Sequence, residues 1–303
     1  MPSTFSAETT LFGIGISFQS NDPEALRHAL SAFPQEDCTG SSGERPVRIV
    51  LVADEANVPT VDSSQINGRR LEVVDQGITV KADGDRGRGI CIFQPVAVGS
   101  EPFANAINTV VLFLVAQAGR IPLHASAVIV HGRALVLAGR SGTGKSALAM
   151  AADRAGLPVL SEDTVFVQLQ PSFGVWGRAE AVHLSEKDAP AGVAGGIRVR
   201  SGRVKRAIPI VHRHRKADRA MLFLLTKGDS VIFQKLGPED AVRALALEPE
   251  PGYEFYGARL EEAIRALADG GCWQLGLSND PDEAIAALLR AFSALAPSEA
   301  SGG

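Results

Sequence analysis

The chain has 303 residues, 45% of them hydrophobic, and a formal charge of -4 at pH 7, so it can bury the core of one large domain or two modest ones. That balance excludes general disorder, and it excludes nucleic-acid binding driven by the charge of the whole molecule, so any anion site must be local. The cysteines Cys38, Cys91 and Cys272 are an odd, widely spaced set that fits reduced thiols better than a disulfide framework or a zinc site.

Residues 1–100 read as a small α/β domain of unknown role. The first residues, Met1-Pro2-Ser3-Thr4-Phe5, lack the basic start and long apolar run of a secretory signal, which predicts a cytoplasmic location. Strands are expected at Phe12 to Phe18, Val47 to Ala53, Leu71 to Val74, Ile78 to Lys81 and Ile90 to Phe93. Polar turns such as Gly40-Ser41-Ser42-Gly43 and Asp83-Gly84-Asp85 separate them. Between the first two strands Asp22 caps a helix that has Pro23 in its first turn and Ala25, Leu26, Leu30 and Phe33 as its apolar face. No catalytic constellation occurs here, and the domain reads as a scaffold or docking unit.

A second domain is expected over residues 101–296. It opens with an apolar helix from Pro102 to about Gly119. Its most apolar run, Val110 to Ala116, is far shorter than the roughly twenty residues of a spanning helix, so no membrane is expected as a partner. Strand Leu123 to Val130, a turn at His131-Gly132 and strand Ala134 to Ala138 follow. They lead into Gly139-Arg140-Ser141-Gly142-Thr143-Gly144-Lys145-Ser146, a complete G-x-x-x-x-G-K-S loop before a helix that starts with Ala147 and Leu148. In such a loop, residues 139 to 147 wrap phosphates with successive backbone N–H groups. Lys145 neutralises the terminal ones, and the Ser146 hydroxyl can take one Mg²⁺ position. A nucleoside triphosphate is therefore the expected ligand.

Strands Pro158 to Leu160 and Val165 to Gln168 flank Ser161-Glu162-Asp163, where Glu162 and Asp163 lie seventeen and eighteen residues after Lys145. A carboxylate at a strand end beside a phosphate loop can hold Mg²⁺ while its neighbour accepts the proton of an attacking hydroxyl. His124, fifteen residues before Gly139, sits on the strand whose hairpin partner carries the loop and is a candidate orienter. The other histidines read as ordinary: His28 on a helix surface, His131 in a turn, His183 in a loop, and His212 with His214 in a basic run.

That run belongs to a loop-rich stretch from about Ala191 to Arg219, holding Arg198, Arg200, Arg203, Lys205, Arg206, Arg213, Arg215, Lys216 and Arg219. It reads in two ways. One is a mobile loop that closes over ATP or an acidic peptide and supplies a cation to the transferring phosphoryl group; the other is a solvated basic loop. Lys205 and Arg206 are the residues chosen as cations near phosphate, and no aromatic interleaving favours nucleic acid. The end is mixed: strands at Met221 to Leu225, Val231 to Gln234 and Cys272 to Leu277, and helices at Pro238 to Leu247, Arg259 to Ala268 and Asp282 to Leu295. Residues 297–303 read as a flexible tail.

The blocks Leu123 to Ser126, Leu137 to Ala149 and Gly156 to Asp163 resemble the catalytic core of HPr kinase/phosphorylase and its serine-kinase relatives, with matching spacing. The likeness covers about residues 105 to 170. It implies an α/β fold whose mixed-sheet core is the P-loop type shared with phosphoenolpyruvate carboxykinase, with ATP and Mg²⁺ as cofactors. It implies a kinase that phosphorylates a serine hydroxyl of a small protein or peptide. By that likeness Lys145 and Ser146 bind phosphate and metal, Asp163 is the metal ligand, Glu162 the base and His124 the orienter. Glu162 stands where the family has aspartate, and no E-I-R-G-x-G signature follows the pair. The chain resembles the kinases of lasso-peptide precursors more than HPr kinase proper. A nucleotide-binding regulator that does not transfer phosphate, and a small-molecule kinase, are the alternatives. Homo-oligomerisation is left open.

Overall fold

The computed structural model describes residues 4–35, 46–56, 61–186, 189, 196–200, 203–246 and 256–295. The expected Gly40-Ser41-Ser42-Gly43 turn, Cys38 and the 297–303 tail lie outside them. Two units are present, Met1–Arg120 and Ile121–Gly303.

The first unit runs β1 (Phe5–Leu11), β2 (Ile14–Ser20), α1 (Pro23–Ala32), β3 (Val47–Ala53), β4 (Ser63–Asn67), β5 (Arg70–Asp75), β6 (Ile78–Asp83), β7 (Arg88–Phe93) and α2 (Glu101–Gln117). Its seven strands form one mixed sheet in the order β1-β2-β3-β7-β6-β5-β4. The Asp22 carboxylate caps α1 as expected, accepting from the N–H groups of Glu24 and Ala25 at 2.8 and 3.0 Å. Along β3, Val47, Ile49 and Leu51 are fully buried while Arg48 and Val50 face out, the alternation of a sheet covered on one side.

Two expectations are corrected here. A hairpin turn at Phe12-Gly13 interrupts the predicted strand from Phe12 to Phe18, because β1 and β2 pair antiparallel from Phe5↔Ser20 to Leu11↔Ile14. The division of the chain also falls after Arg120 rather than after residue 100. The apolar helix α2 buries Phe103, Ile107, Val110 and Leu114 in the first unit, against β6 and β7. No described helix is long and apolar enough to cross a membrane.

The second unit runs β8 (Ile121–Val130), β9 (Arg133–Ala138), α3 (Lys145–Arg154), β10 (Val159–Ser161), β11 (Thr164–Gln168), β12 (Gly174–Trp176), β13 (Ala181–Leu184), β14 (Gly196–Arg200), β15 (Arg203–Pro209), β16 (Lys216–Ala217), β17 (Ala220–Lys227), β18 (Ile232–Lys235), α4 (Pro238–Ala246), α5 (Gly257–Asp269), β19 (Cys272–Leu277) and α6 (Pro281–Leu295). The main sheet follows the order β16-β12-β11-β8-β9-β17-β19-β18, with β10 also on β8. It is mixed, as expected: β9, β17 and β19 are parallel, and β8 is antiparallel to β9, β10 and β11.

Both faces of this sheet are covered, which is why its central strands are continuously apolar rather than alternating. Val136 and Leu222 join Leu260, Ile264 and Leu267 of α5 in one core. Leu135, Leu137 and Phe223 point the other way and join Leu148 of α3 with Ile285 and Leu288 of α6.

The stretch expected to be loop-rich from Ala191 to Arg219 instead contributes strands. Among its described residues β14 and β15 pair antiparallel, and β15 pairs β13 in a separate three-stranded sheet. Alternation explains the part that packs: Val182, Leu184 and Ile208 are buried in the core beside α3.

Gly177, just after β12, lies against the backbone that leads into the acid pair. A Cβ there would stand 2.1 Å from the Leu160 carbonyl oxygen, and Leu160 directly precedes Ser161-Glu162-Asp163. Gly177→Ala is expected to lower stability by about 1–3 kcal/mol through overpacking, read as a fall in the urea midpoint; an unchanged midpoint would rule out this close approach.

Candidate active site

The phosphate loop joins β9 to α3 at the carboxyl ends of the parallel strands, the place where open α/β sheets bind ligands. Gly144 caps α3 in the left-handed region, with φ at 108°, and no side chain caps the helix. Its first N–H groups therefore face the loop, a ready anion site. The Thr143 hydroxyl donates to the Arg140 carbonyl at 2.8 Å. The Lys145 ammonium donates to the carbonyls of Gly139 and Arg140 at 2.6 and 3.1 Å, so it lies along the loop it is expected to serve.

Strand register gathers the rest. On β8, His124 is opposite Thr164 and Ala125 is opposite Ala138, so His124 stands between the end of β9 and the start of β11. The buried Ser126 hydroxyl donates to the Glu162 carbonyl at 2.7 Å, and the Ser161 hydroxyl closes the turn onto the Thr164 carbonyl at 2.6 Å. The two carboxylates then diverge. Asp163 meets His124, Oδ1 to Nδ1, at 3.5 Å. Glu162 accepts from the Ser146 hydroxyl at 2.8 Å. The structure thus brings together His124, Ser146, Glu162 and Asp163 around one end of the loop.

His183, read from the sequence as an ordinary loop residue, belongs to this group. It lies on β13, where its N–H donates to Glu162 Oε1 at 3.2 Å and its Nδ1 lies 3.4 Å from Oε2. The signal in the sequence was its place in Ala181-Val182-His183-Leu184, a polar residue between two apolar ones at strand spacing. Lys205 and Arg206 fall on opposite faces of their strand. On β15, Ala207 is opposite His183 and Arg206 is opposite Leu184, so strand alternation puts Lys205 on the His183 face and Arg206 on the other. Arg206 pairs with Glu186 at 3.8 Å.

The donors suit a hard cation. Ser146 and the acid pair offer oxygen only, and among the described residues no three His, Cys, Asp or Glu side chains cluster to hold a metal by themselves. Mg²⁺ fits such a set, because it binds through one or two protein oxygens and takes the remainder from substrate phosphates and water.

Comparison with known proteins adds little. No family model and no curated protein matches the chain. Among solved structures, the Hpr(Ser) kinase/phosphatase from Coxiella burnetii aligns with a TM-score of 0.31 and 11% sequence identity, over 57% of this chain and 96% of that one. A likeness that distant bears no weight on function.

Burial alone would raise the Glu162 carboxyl. The hydrogen bonds from the His183 ring and the Ser146 hydroxyl, with the attraction of His183 and its N–H, outweigh it and hold the group below its ordinary 4.5. A lowered value in the folded state means that the carboxylate stabilises the fold above the ordinary value, and that this stabilisation fades as the pH falls through the folded one. Glu162→Gln is expected to cost about 1–3 kcal/mol at pH 7, with the gap to wild type narrowing below the ordinary 4.5. Urea midpoints across that range check it, and a gap independent of pH would contradict the ionised, clamped carboxylate.

Proposed function

We propose that this chain is an ATP-dependent kinase that transfers the γ-phosphoryl group to a hydroxyl, with Mg²⁺ as cofactor. The observation that carries this reading is the 2.8 Å hydrogen bond from Ser146 to Glu162. It joins a phosphate loop to an adjacent acid pair, a set that can serve both Mg²⁺ and an attacking hydroxyl in phosphoryl transfer. The loop N–H groups and Lys145 bind the phosphates. Ser146 and a carboxylate of the acid pair hold Mg²⁺, which when bound neutralises charge on the phosphate oxygens. The remaining carboxylate, near His124, is available to the acceptor.

The choice of a serine on a small protein or peptide rests on the sequence resemblance. It also agrees with the basic strand pair β14 and β15, of which β15 runs beside His183 and carries charge that suits an acidic chain. Incubation with γ-labelled ATP, Mg²⁺ and a library of serine peptides is expected to label peptide. Label on metabolites alone would point to a small-molecule kinase, and ATP binding without transfer to a regulator. Lys145→Ala is expected to lower turnover by about 10²–10³-fold; a variant as active as wild type would remove the phosphate loop from the reaction.

A further inference from the structure

Glu162 and Asp163 are neighbours in sequence, yet their surroundings differ. Glu162 is 9% exposed and is held from two sides, by the Ser146 hydroxyl and by both the N–H and the ring of His183. The Asp163 side chain is 47% exposed and faces the His124 ring. A carboxylate that shares a hydrogen bond with the loop serine is confined to the phosphate side. One that is half open to solvent beside an imidazole can be reached by an entering hydroxyl.

We propose, resting on the kinase reading above, that His183 is a positioning residue which clamps Glu162 against Ser146 as the metal-side carboxylate. Asp163, backed by His124, then takes the proton of the acceptor hydroxyl. This exchanges the roles that the sequence resemblance implies for the pair. In the transfer step the acceptor oxygen forms its bond to the γ-phosphorus as the bond from that phosphorus to the β,γ-bridging oxygen breaks. The hydroxyl proton passes to an Asp163 carboxylate oxygen, and the electron pair of the broken bond leaves on ADP.

Glu162 has the reach for its part. With one methylene more than aspartate it spans from the turn after β10 both to the first turn of α3 and to β13. His183 holds it there through a backbone donor, set by the pairing of β13 with β15, and a ring nitrogen. Partners of this kind behind a metal-side ligand change metal affinity by about 10–100-fold when removed.

The test titrates Mn²⁺ into the full chain holding a non-hydrolysable ATP analogue, followed by electron paramagnetic resonance, with turnover on γ-labelled ATP measured in parallel. Glu162→Gln and His183→Ala are expected to weaken Mn²⁺ binding about 10–100-fold, while His183→Asn, which keeps a donor near Nδ1, stays within about threefold of wild type. Asp163→Asn is expected to retain Mn²⁺ but to lose turnover by about 10²-fold or more. Urea midpoints for each variant separate loss of the clamp from loss of the fold. Mn²⁺ binding that depends on Asp163 but not on Glu162 or His183, in a chain that still binds the analogue, overturns the division of roles alone. A wild-type chain that does not bind the analogue overturns the kinase reading as well.

Discussion

The Ser126 hydroxyl has no exposure to solvent and donates to the Glu162 carbonyl at 2.7 Å. A buried hydroxyl without a partner is costly, so this bond is a strong constraint on where the turn after β10 can lie. It ties the acid pair to β8, the strand that also carries His124 and runs antiparallel to the strand feeding the phosphate loop. Three stretches far apart in the chain are thereby held in register by one strand. Moving β8 by a single residue would turn His124 away from Asp163 and separate Ser126 from its acceptor.

A strand can serve as such a ruler only if it does not slip, and the burial around it supplies that. The strands β9 and β17 have apolar residues on both faces because α5 packs on one side and α3 with α6 on the other. Shifting either strand would exchange residues between two cores of different shape, which close-packed interiors resist. The helix that starts at Lys145 is itself part of one core through Leu148 and Ala149. The loop therefore hangs between a fixed strand end and a fixed helix start. Its N–H groups are thus held in place by the packing on either side, and a dipole array fixed in advance is the kind that stabilises charge most effectively.

Legibility in the sequence followed range. The loop Gly139 to Ser146 and the Asp22 cap depend on residues within a few positions of each other, and both were readable without the structure. His124 with the acid pair was readable because their spacing from the loop was itself informative. His183 was not, since its partner Glu162 is twenty-one positions away and its strand, four residues long, offers only one short alternation, which places the residue on a strand without pointing to its partner. The basic stretch read as loop, closing or solvated, for a related reason: strand pairing, invisible in composition, builds β14 and β15 there and sorts Lys205 and Arg206 onto opposite faces. The boundary at residue 100 failed because the apolar helix α2 is hydrophobic enough to suit either unit, and only packing decides which sheet it covers.

Glu162 is one methylene longer than the aspartate that the sequence resemblance alone leads one to expect there. The structure gives the extra length a use. Glu162 is buried with three donors around its carboxylate, two from His183 and one from Ser146, and a buried carboxylate needs such donors to remain ionised. An aspartate at the same backbone position would be shorter by about 1.5 Å, the length of one carbon–carbon bond, and could not keep the donors of both β13 and α3. The longer side chain and the donors on β13 therefore work together, the one reaching to where the others stand.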